Sequence, residues 1–242
     1  MAEEDIVGDI FGWAGTAIAT YFYISPVVPF YKVLSGKLDY QDAPGVLLIM
    51  SFMNCILWAD YGLVKNNQQV YFANGIGGSI TLIFITIYLI YLGKRNIGLA
   101  LVYNFGLLAI VIGLTLLFYW IVNPDITGYI AMFFNILMYA APGEKIAQVI
   151  KTQNYRLIPI FSTVGGFFCS LCWLLFGIYK KDWKLYVPNA LGLAFAALQV
   201  VIYLIYYCKN KDKNISFPDE NDDVVSEKKN NYDNIIKYIL NN

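Results

Sequence analysis

Asn54-Cys-Ile-Leu-Trp58-Ala-Asp-Tyr-Gly62, followed by Ala73-Asn-Gly-Ile-Gly77, decides how the rest of the chain is read, because the sequence states it twice. The second statement is Cys172-Trp-Leu-Leu-Phe-Gly177, followed by Val187-Pro-Asn-Ala-Leu-Gly192. Trp58 and Trp173, Gly62 and Gly177, Asn74 and Asn189, and Gly77 and Gly192 each stand 115 residues apart. Pro44 and Pro159 keep that spacing, and Pro26 and Pro142 stand 116 apart, a slip of one residue in a loop. Four identities in unlike residue types at one offset do not arise from apolar composition alone. The chain is an internal duplication, which has to be recognised before any other pattern is interpreted.

Working outward, the 242 residues are 58% hydrophobic and only 14% charged, against about 25% charged in ordinary soluble domains. Seven charge-free runs account for this: Ile10–Tyr31, Ala43–Ala59, Asn66–Gly93, Asn96–Pro124, Ile126–Gly143, Leu157–Tyr179 and Leu185–Cys208. Each matches the roughly 20 apolar residues that a helix needs to cross a bilayer. Spanning strands would be half as long and would alternate in polarity. The repeat pairs the first run with the fifth, the second with the sixth and the third with the seventh, leaving the fourth unmatched. Parity explains the odd one: three crossings turn the chain over, so one extra crossing is needed before a second triplet inserts the same way up. The expected fold is therefore an all-α membrane protein of seven transmembrane helices, two parallel three-helix repeats joined by a linker helix (3-1-3). The repeats are placed at 8–93 and 126–208, the linker at 94–125. Residues 209–242 are rich in Asn, Asp, Glu and Lys and are expected to be a disordered cytosolic tail, because such composition does not repay the entropy of ordering.

Basic residues set the orientation. With the amino terminus outside, the inner side receives Lys32, Lys37, Lys94, Arg95, Lys145, Lys151, Arg156, Lys209, Lys211 and Lys213, against Lys65, Lys180, Lys181 and Lys184 outside. The start, Met1-Ala-Glu-Glu-Asp, lacks the basic stretch of a cleaved signal, so the first helix is expected to stay. Formal net charge is zero, which gives no electrostatic case for nucleic acid. Cys169 and Cys172 share a helix face, but with no histidine in the chain they are read as small packing residues rather than metal ligands. No cofactor is expected.

Asn74 and Asn189 head the candidate ligand residues. A carboxamide inside a membrane span must find partners away from lipid. Such groups often serve only to glue helices together. Here the repeat places two of them opposite each other across a pseudo-twofold axis, as a neutral, hydroxyl-rich ligand would require. Trp58 and Trp173 are related in the same way. Tryptophan commonly anchors a helix at the membrane interface, but an indole face also packs on the C–H face of a sugar. Pro26, Pro44, Pro142 and Pro159 fall in the inner parts of their runs and read as a ring of hinges at a cytosolic gate, since proline removes a helix hydrogen bond. Gly75, Gly77, Gly78 and Gly192 are read as packing residues. Asp60, Glu144 and Asp182 are candidate proton or gate carboxylates, with solvated or paired surface charge as the plainer alternative.

Taken together, Ile24-Ser25-Pro26, the Asn54–Gly62 segment, Asn74-Gly75-Ile76-Gly77, Tyr139-Ala140-Ala141-Pro142, Val149-Ile150-Lys151-Thr152, Pro159 and Val187-Pro188-Asn189 with Gly192 and Gln199 resemble the SWEET (MtN3/saliva) sugar transporters over about residues 8 to 208. The resemblance implies a facilitator that moves mono- or disaccharides down their gradient by alternating access. It implies that Asn74 and Asn189 hold sugar hydroxyls between Trp58 and Trp173, that the four prolines form an inner-gate tetrad, and that Tyr61 and Asp182 close the outer gate. The chain departs from the family pattern at Gly36-Lys37-Leu38-Asp39, at Thr152–Ile160, and at Phe176, where the family usually has tyrosine. The expected partners are a sugar, the lipid bilayer and further copies of the chain. The expected location is the plasma membrane, an endomembrane being the alternative.

Three other classes fit less well. PQ-loop transporters of amino acids or other small metabolites share the 3-1-3 plan, but no proline here is followed by glutamine. A seven-helix receptor would lack the parallel duplication. An enzyme would need a catalytic constellation, and the spans hold no histidine and no clustered carboxylates. The orientation supplies its own test. Asn214-Ile215-Ser216 fits the N-glycosylation pattern and should remain bare in eukaryotic cells, because the tail is placed in the cytosol. A glycosidase-sensitive mobility shift lost in Asn214→Gln would reverse the topology.

Overall fold

A computed structural model describes residues 2–34, 45–92, 102, 106, 113 and 124–212. The elements in chain order are α1 (Ala2–Ile24), α2 (Val27–Leu34), α3 (Gly45–Val64), α4 (Gln68–Leu92), α5 (Pro124–Met138), α6 (Ala140–Thr152), a 3₁₀ turn (Tyr155–Leu157), α7 (Ile160–Tyr179) and α8 (Trp183–Asp212). Among the described residues, Gln68–Ile90, Asp125–Thr152, Ile160–Tyr179 and Trp183–Lys211 are long and apolar enough to cross a membrane, and Leu48–Val64 is a shorter apolar helix.

Three expectations change in detail. The first and fifth runs are each two helices rather than one. The chain turns at Ser25 and Pro26, where Ser25 N–H donates to Phe22 O, and again at Tyr139, whose N–H donates to Ile136 O. Proline supplies the reason at both places, because Pro26 and Pro142 bring no N–H to the helix ladder. The expected tail does not start at Lys209, since α8 continues to Asp212. Asn210 is buried there and its amide donates to Gln153 O at 2.6 Å, tying the helix to the left-handed residue that ends α6. Of the linker placed at 94–125, Val102, Gly106 and Gly113 are helical and α5 begins at Pro124. The rest of the linker, Pro44, and the tail beyond Asp212 lie outside the described residues.

Helix packing closes into a ring. α1 packs on α4, α4 on α3, α3 on α5, α5 on α8, α8 on α7, and α7 back on α1. Each first helix thus touches the third helix of its own half and the second helix of the other half. The small residues of the first helices make the crossed contacts. A Cβ added at Gly12 would lie 2.8 Å from Phe176, and one at Gly15 would lie 3.0 Å from Trp173, both on α7. On α5, a Cβ at Gly128 would lie 2.6 Å from Tyr61 of α3, and Ala131 is fully buried in the cluster that holds Trp58. Small residues at helix interfaces let such rings approach.

The two α-hairpins repeat down to single hydrogen bonds. Lys65, Asn66 and Asn67 donate to Tyr61, Leu63 and Gly62, while Lys180, Lys181 and Asp182 donate to Phe176, Ile178 and Gly177. Asn66 and Lys181 both take positive φ, 51° and 53°. Only glycine fits just before each turn, because a Cβ at Gly62 or Gly177 would press on the backbone N of Tyr71 or Tyr186 at 2.6 or 2.8 Å.

Filling the space at Gly12 should therefore break the crossed packing. Gly12→Val is expected to cost about 1–3 kcal/mol by overpacking, seen as a lowered melting temperature of the detergent-purified protein. Gly75→Ala, where an added Cβ meets nothing within 4 Å, should not lower the melt, since alanine favours a helix over glycine. Equal melts for the two variants would remove this account of how the halves are joined.

Candidate functional site

The ring encloses a cavity of about 430 Å³. Its wall is built in pairs related by the repeat. Trp58 of α3 lines it together with its counterpart Trp173 of α7, Asn74 of α4 with its counterpart Asn189 of α8, and Val70 with its counterpart Leu185. From the first helices, and the turn that follows α5, come Phe22 and Met138, and Tyr23 and Tyr139, each pair 116 residues apart. All four ligand residues expected from the sequence are therefore brought to one cavity.

The asparagines are held alike. The Asn74 amide donates to Val70 O and the Asn189 amide donates to Leu185 O, each at 2.8 Å within its own helix. This fixes both side chains against the helix and satisfies one donor, so that the oxygens are presented as acceptors. Tyr23 O–H reaches Asn74 Oδ1 at 3.5 Å, whereas Tyr139 O–H donates to Pro188 O at 2.9 Å. Each tyrosine lies over a helix glycine: a side chain at Gly77 would collide with Tyr23, and one at Gly192 with Tyr139.

The tryptophans are buried rather than placed as surface anchors. Trp58 meets Tyr61 edge to face with centroids 5.6 Å apart, and Trp173 meets Phe176 in the same way at 5.5 Å. These four rings form the centre of the core cluster that seals one end of the cavity. Each such pair contributes about 0.5–1.5 kcal/mol beyond its burial.

The sealed end carries the expected Tyr61 and Asp182. Tyr61 O–H donates to Asp182 at 2.6 Å. The other Asp182 oxygen accepts from Lys184 N–H at 3.1 Å, so the same side chain also caps α8. The counterpart contact is missing because the repeat puts Phe176 opposite Tyr61 and Asn67 opposite Asp182. The prolines are not equivalent to one another. Pro26 sits in the turn after α1, Pro142 in the first turn of α6 and on the cavity wall, and Pro159 caps the start of α7. Glu144 is exposed and accepts from Gln148 at 2.8 Å, and Asp60 is partnered as well. Among the described residues no group of three or more potential metal ligands occurs.

Sequence reasoning missed Asn54 and Asn135, which also line the cavity. Asn54 Oδ1 is buried without a hydrogen-bond partner among the described residues. Their repeat counterparts are Cys169 and Ala19. A search for identities across the repeat is blind to them for that reason. Tyr23 and Tyr139, by contrast, were visible at the offset of 116.

A family model described as "Sugar efflux transporter for intercellular exchange" matches residues 9–96 and 125–211. The bidirectional sugar transporter SWEET7b of Oryza sativa subsp. japonica is 31% identical over 229 residues, covering 90% of this chain and 86% of that protein. The bidirectional sugar transporter SWEET1 of Arabidopsis thaliana is 31% identical over 218 residues, 86% of each. The structure of a eukaryotic SWEET transporter solved at 3.7 Å superposes with a TM-score of 0.74 at 25% identity, over 85% of this chain and 99% of that one.

Proposed function

Because this chain belongs to the family of sugar efflux transporters for intercellular exchange, the SWEET (MtN3/saliva) transporters, we propose that it is a facilitator carrying a sugar in either direction across a membrane. The observation that supports this most directly is the paired cavity wall, with two asparagines held alike and two tryptophans on opposite helices. A sugar presents hydroxyls at its edge and C–H groups on its faces. The asparagine oxygens accept from the edge, and the indoles cover the faces.

The two unlike positions give the cavity a direction. Asn54 and Asn135 stand on α3 and α5, which pack together, while Cys169 and Ala19 stand on α7 and α1, which also pack together. One wall thus adds two carboxamides where the opposite wall has a thiol and a methyl. The unpartnered Asn54 oxygen requires a donor once water is excluded, and a sugar hydroxyl supplies one. A sugar is held in one orientation, with its hydroxyl-dense edge toward α3 and α5.

Alternating access follows from the same parts. Tyr61 and Asp182 act as a gate at the sealed end. Pro26, Pro142 and Pro159, with Pro44 beyond the described residues, act as hinges toward the opposite end. The excess of basic residues on one side supports an outside amino terminus, and the family supports a place in the plasma membrane.

Asn74→Ala and Asn189→Ala should each lower sugar uptake into proteoliposomes by at least about tenfold, the scale of one lost hydrogen bond to a buried polar group. Purified yield and melting should change little. Wild-type uptake in both variants would leave these residues as structural glue. Transport should also be uncoupled, because among the described residues no carboxylate lines the cavity. An imposed pH gradient should produce no accumulation of labelled glucose or sucrose above the outside concentration, and accumulation would refute uniport.

A further inference from the structure

Outside the cavity, two clusters of charged residues join one half of the chain to the other. Lys180, in the α7–α8 turn, lies 2.9 Å from Asp9 on α1, and the same Asp9 oxygen accepts from Gln69 on α4 at 2.9 Å. Lys65, beyond the end of α3, lies 2.7 Å from Asp125 in the first turn of α5, and the same Asp125 oxygen accepts from Lys184 on α8 at 3.0 Å. Asp125 follows Asp9 by 116 residues, Lys180 follows Lys65 by 115, and Lys184 follows Gln69 by 115. The two clusters are one arrangement occurring twice. Each ties the first helix of one half to the hairpin turn of the other half and to the third helix of its own.

None of these six residues lines the cavity. They lie instead on the elements that must part for the sealed end to open. Their exposure suits that motion: the side chains of Asp9, Lys65, Asp125 and Lys180 are 46, 40, 42 and 27% exposed. Ion pairs this wet are weak and readily remade in water, whereas a fully buried pair would leave uncompensated charge on opening. Two weak pairs on opposite sides of the pseudo-axis favour closure without locking it.

We propose that Asp9–Lys180 and Asp125–Lys65 are a paired clasp that sets how often the sealed end opens during transport. This rests on the transport reading, because only alternating access requires that end to open. The clasps are unequal. Lys184 is a second cation on Asp125 and lies over the Tyr129 ring at 4.9 Å, where its counterpart on the other side is the neutral Gln69. Lys184 belongs to the same half as Asp125 and stays with it when the halves part, whereas Asp9 keeps only Gln69, so the Asp125 side parts more easily.

The test reads the distance between the two hairpin turns. Spin labels are placed by Asn66→Cys and Lys181→Cys in the full chain, its four native cysteines replaced by alanine, in lipid nanodiscs. Double electron–electron resonance then gives the distance distribution. Asp9→Asn with Asp125→Asn should raise the ratio of long to short distances about tenfold, the combined scale of two exposed pairs. Asp9→Asn alone should shift it more than Asp125→Asn alone. Exchange of charge in Asp9→Lys with Lys180→Asp should return the distribution to that of the parent, although Asp9→Lys alone does not. An unchanged distribution in the double neutral variant, or no recovery on charge exchange, overturns the clasp. The parent protein supplies an independent check without those substitutions. In about 1 M KCl, where the Debye length falls to about 3 Å, its long-distance fraction must rise, and insensitivity to salt also overturns the proposal. Sugar uptake measured on the native chain, its cysteines intact, separates the two ideas. No uptake refutes the transport reading, whereas uptake with distances that ignore charge and salt refutes the clasp alone.

Discussion

Everything in this structure depends on the first helix of each half being thin enough to receive the aromatic rings of the other half. Gly12 and Gly15 admit Phe176 and Trp173, and Gly128 and Ala131 admit Tyr61 and Trp58. In lipid, apolar area gives no net drive for helices to associate, because the surrounding chains are as apolar as the side chains. Close van der Waals contact and satisfied polar groups must hold the halves together instead. The crossed seating supplies both. It packs the edge-to-face ring pairs into one cluster, and it brings Asp182 within reach of Tyr61. With larger residues on α1 and α5, the halves would separate and the cavity would lose two of its walls.

That arrangement links stability to function at one place. Two of the rings in the sealing cluster, Trp58 and Trp173, also line the cavity, so closing one end and shaping the ligand surface share one packing event. Asn74 and Asn189 sit just below, braced on Val70 and Leu185 carbonyls, and those two residues belong to the same cluster. A site positioned by rigid helices needs little reorganisation when a ligand arrives, which is how buried polar groups are best used. Motion is left to the ends. The charged residues beyond the rings are partly hydrated, and at the other end the helices are interrupted next to Pro26 and Pro142.

Symmetry in the fold does not give a symmetric site. Duplication fixed the common frame of hairpins, glycines and paired side chains, and later divergence acted on positions that the frame does not need. Tyr61 kept a hydroxyl for Asp182, while Phe176 has none. Lys184 stands opposite the neutral Gln69, Asn54 opposite Cys169, and Asn135 opposite Ala19. A twofold frame is suited to a carrier that must expose one cavity to two sides in turn. The ligand itself has no twofold axis, and the unlike residues are where the cavity adapts to it.

The sequence by itself determined the duplication, the membrane class, the pairing of crossings and the identity of Asn74, Asn189, Trp58 and Trp173 as a set. Each leaves a mark at a fixed offset or in a run length, and bilayer thickness translates run length directly into crossings. It also marked Tyr61 and Asp182, through resemblance to a family. Only the tertiary structure decided that the first and fifth crossings are broken helices, because a run without charge looks the same whether or not proline interrupts it. Only the structure brought Asn54 and Asn135 onto one wall, since that wall is formed by helices from different halves and their residues share no offset. The ion pairs needed it most of all. Asp9, Lys65, Asp125 and Lys180 read as ordinary charges flanking apolar runs until the crossing of α1 over α7 and of α3 over α5 sets each acid beside a base from the other half.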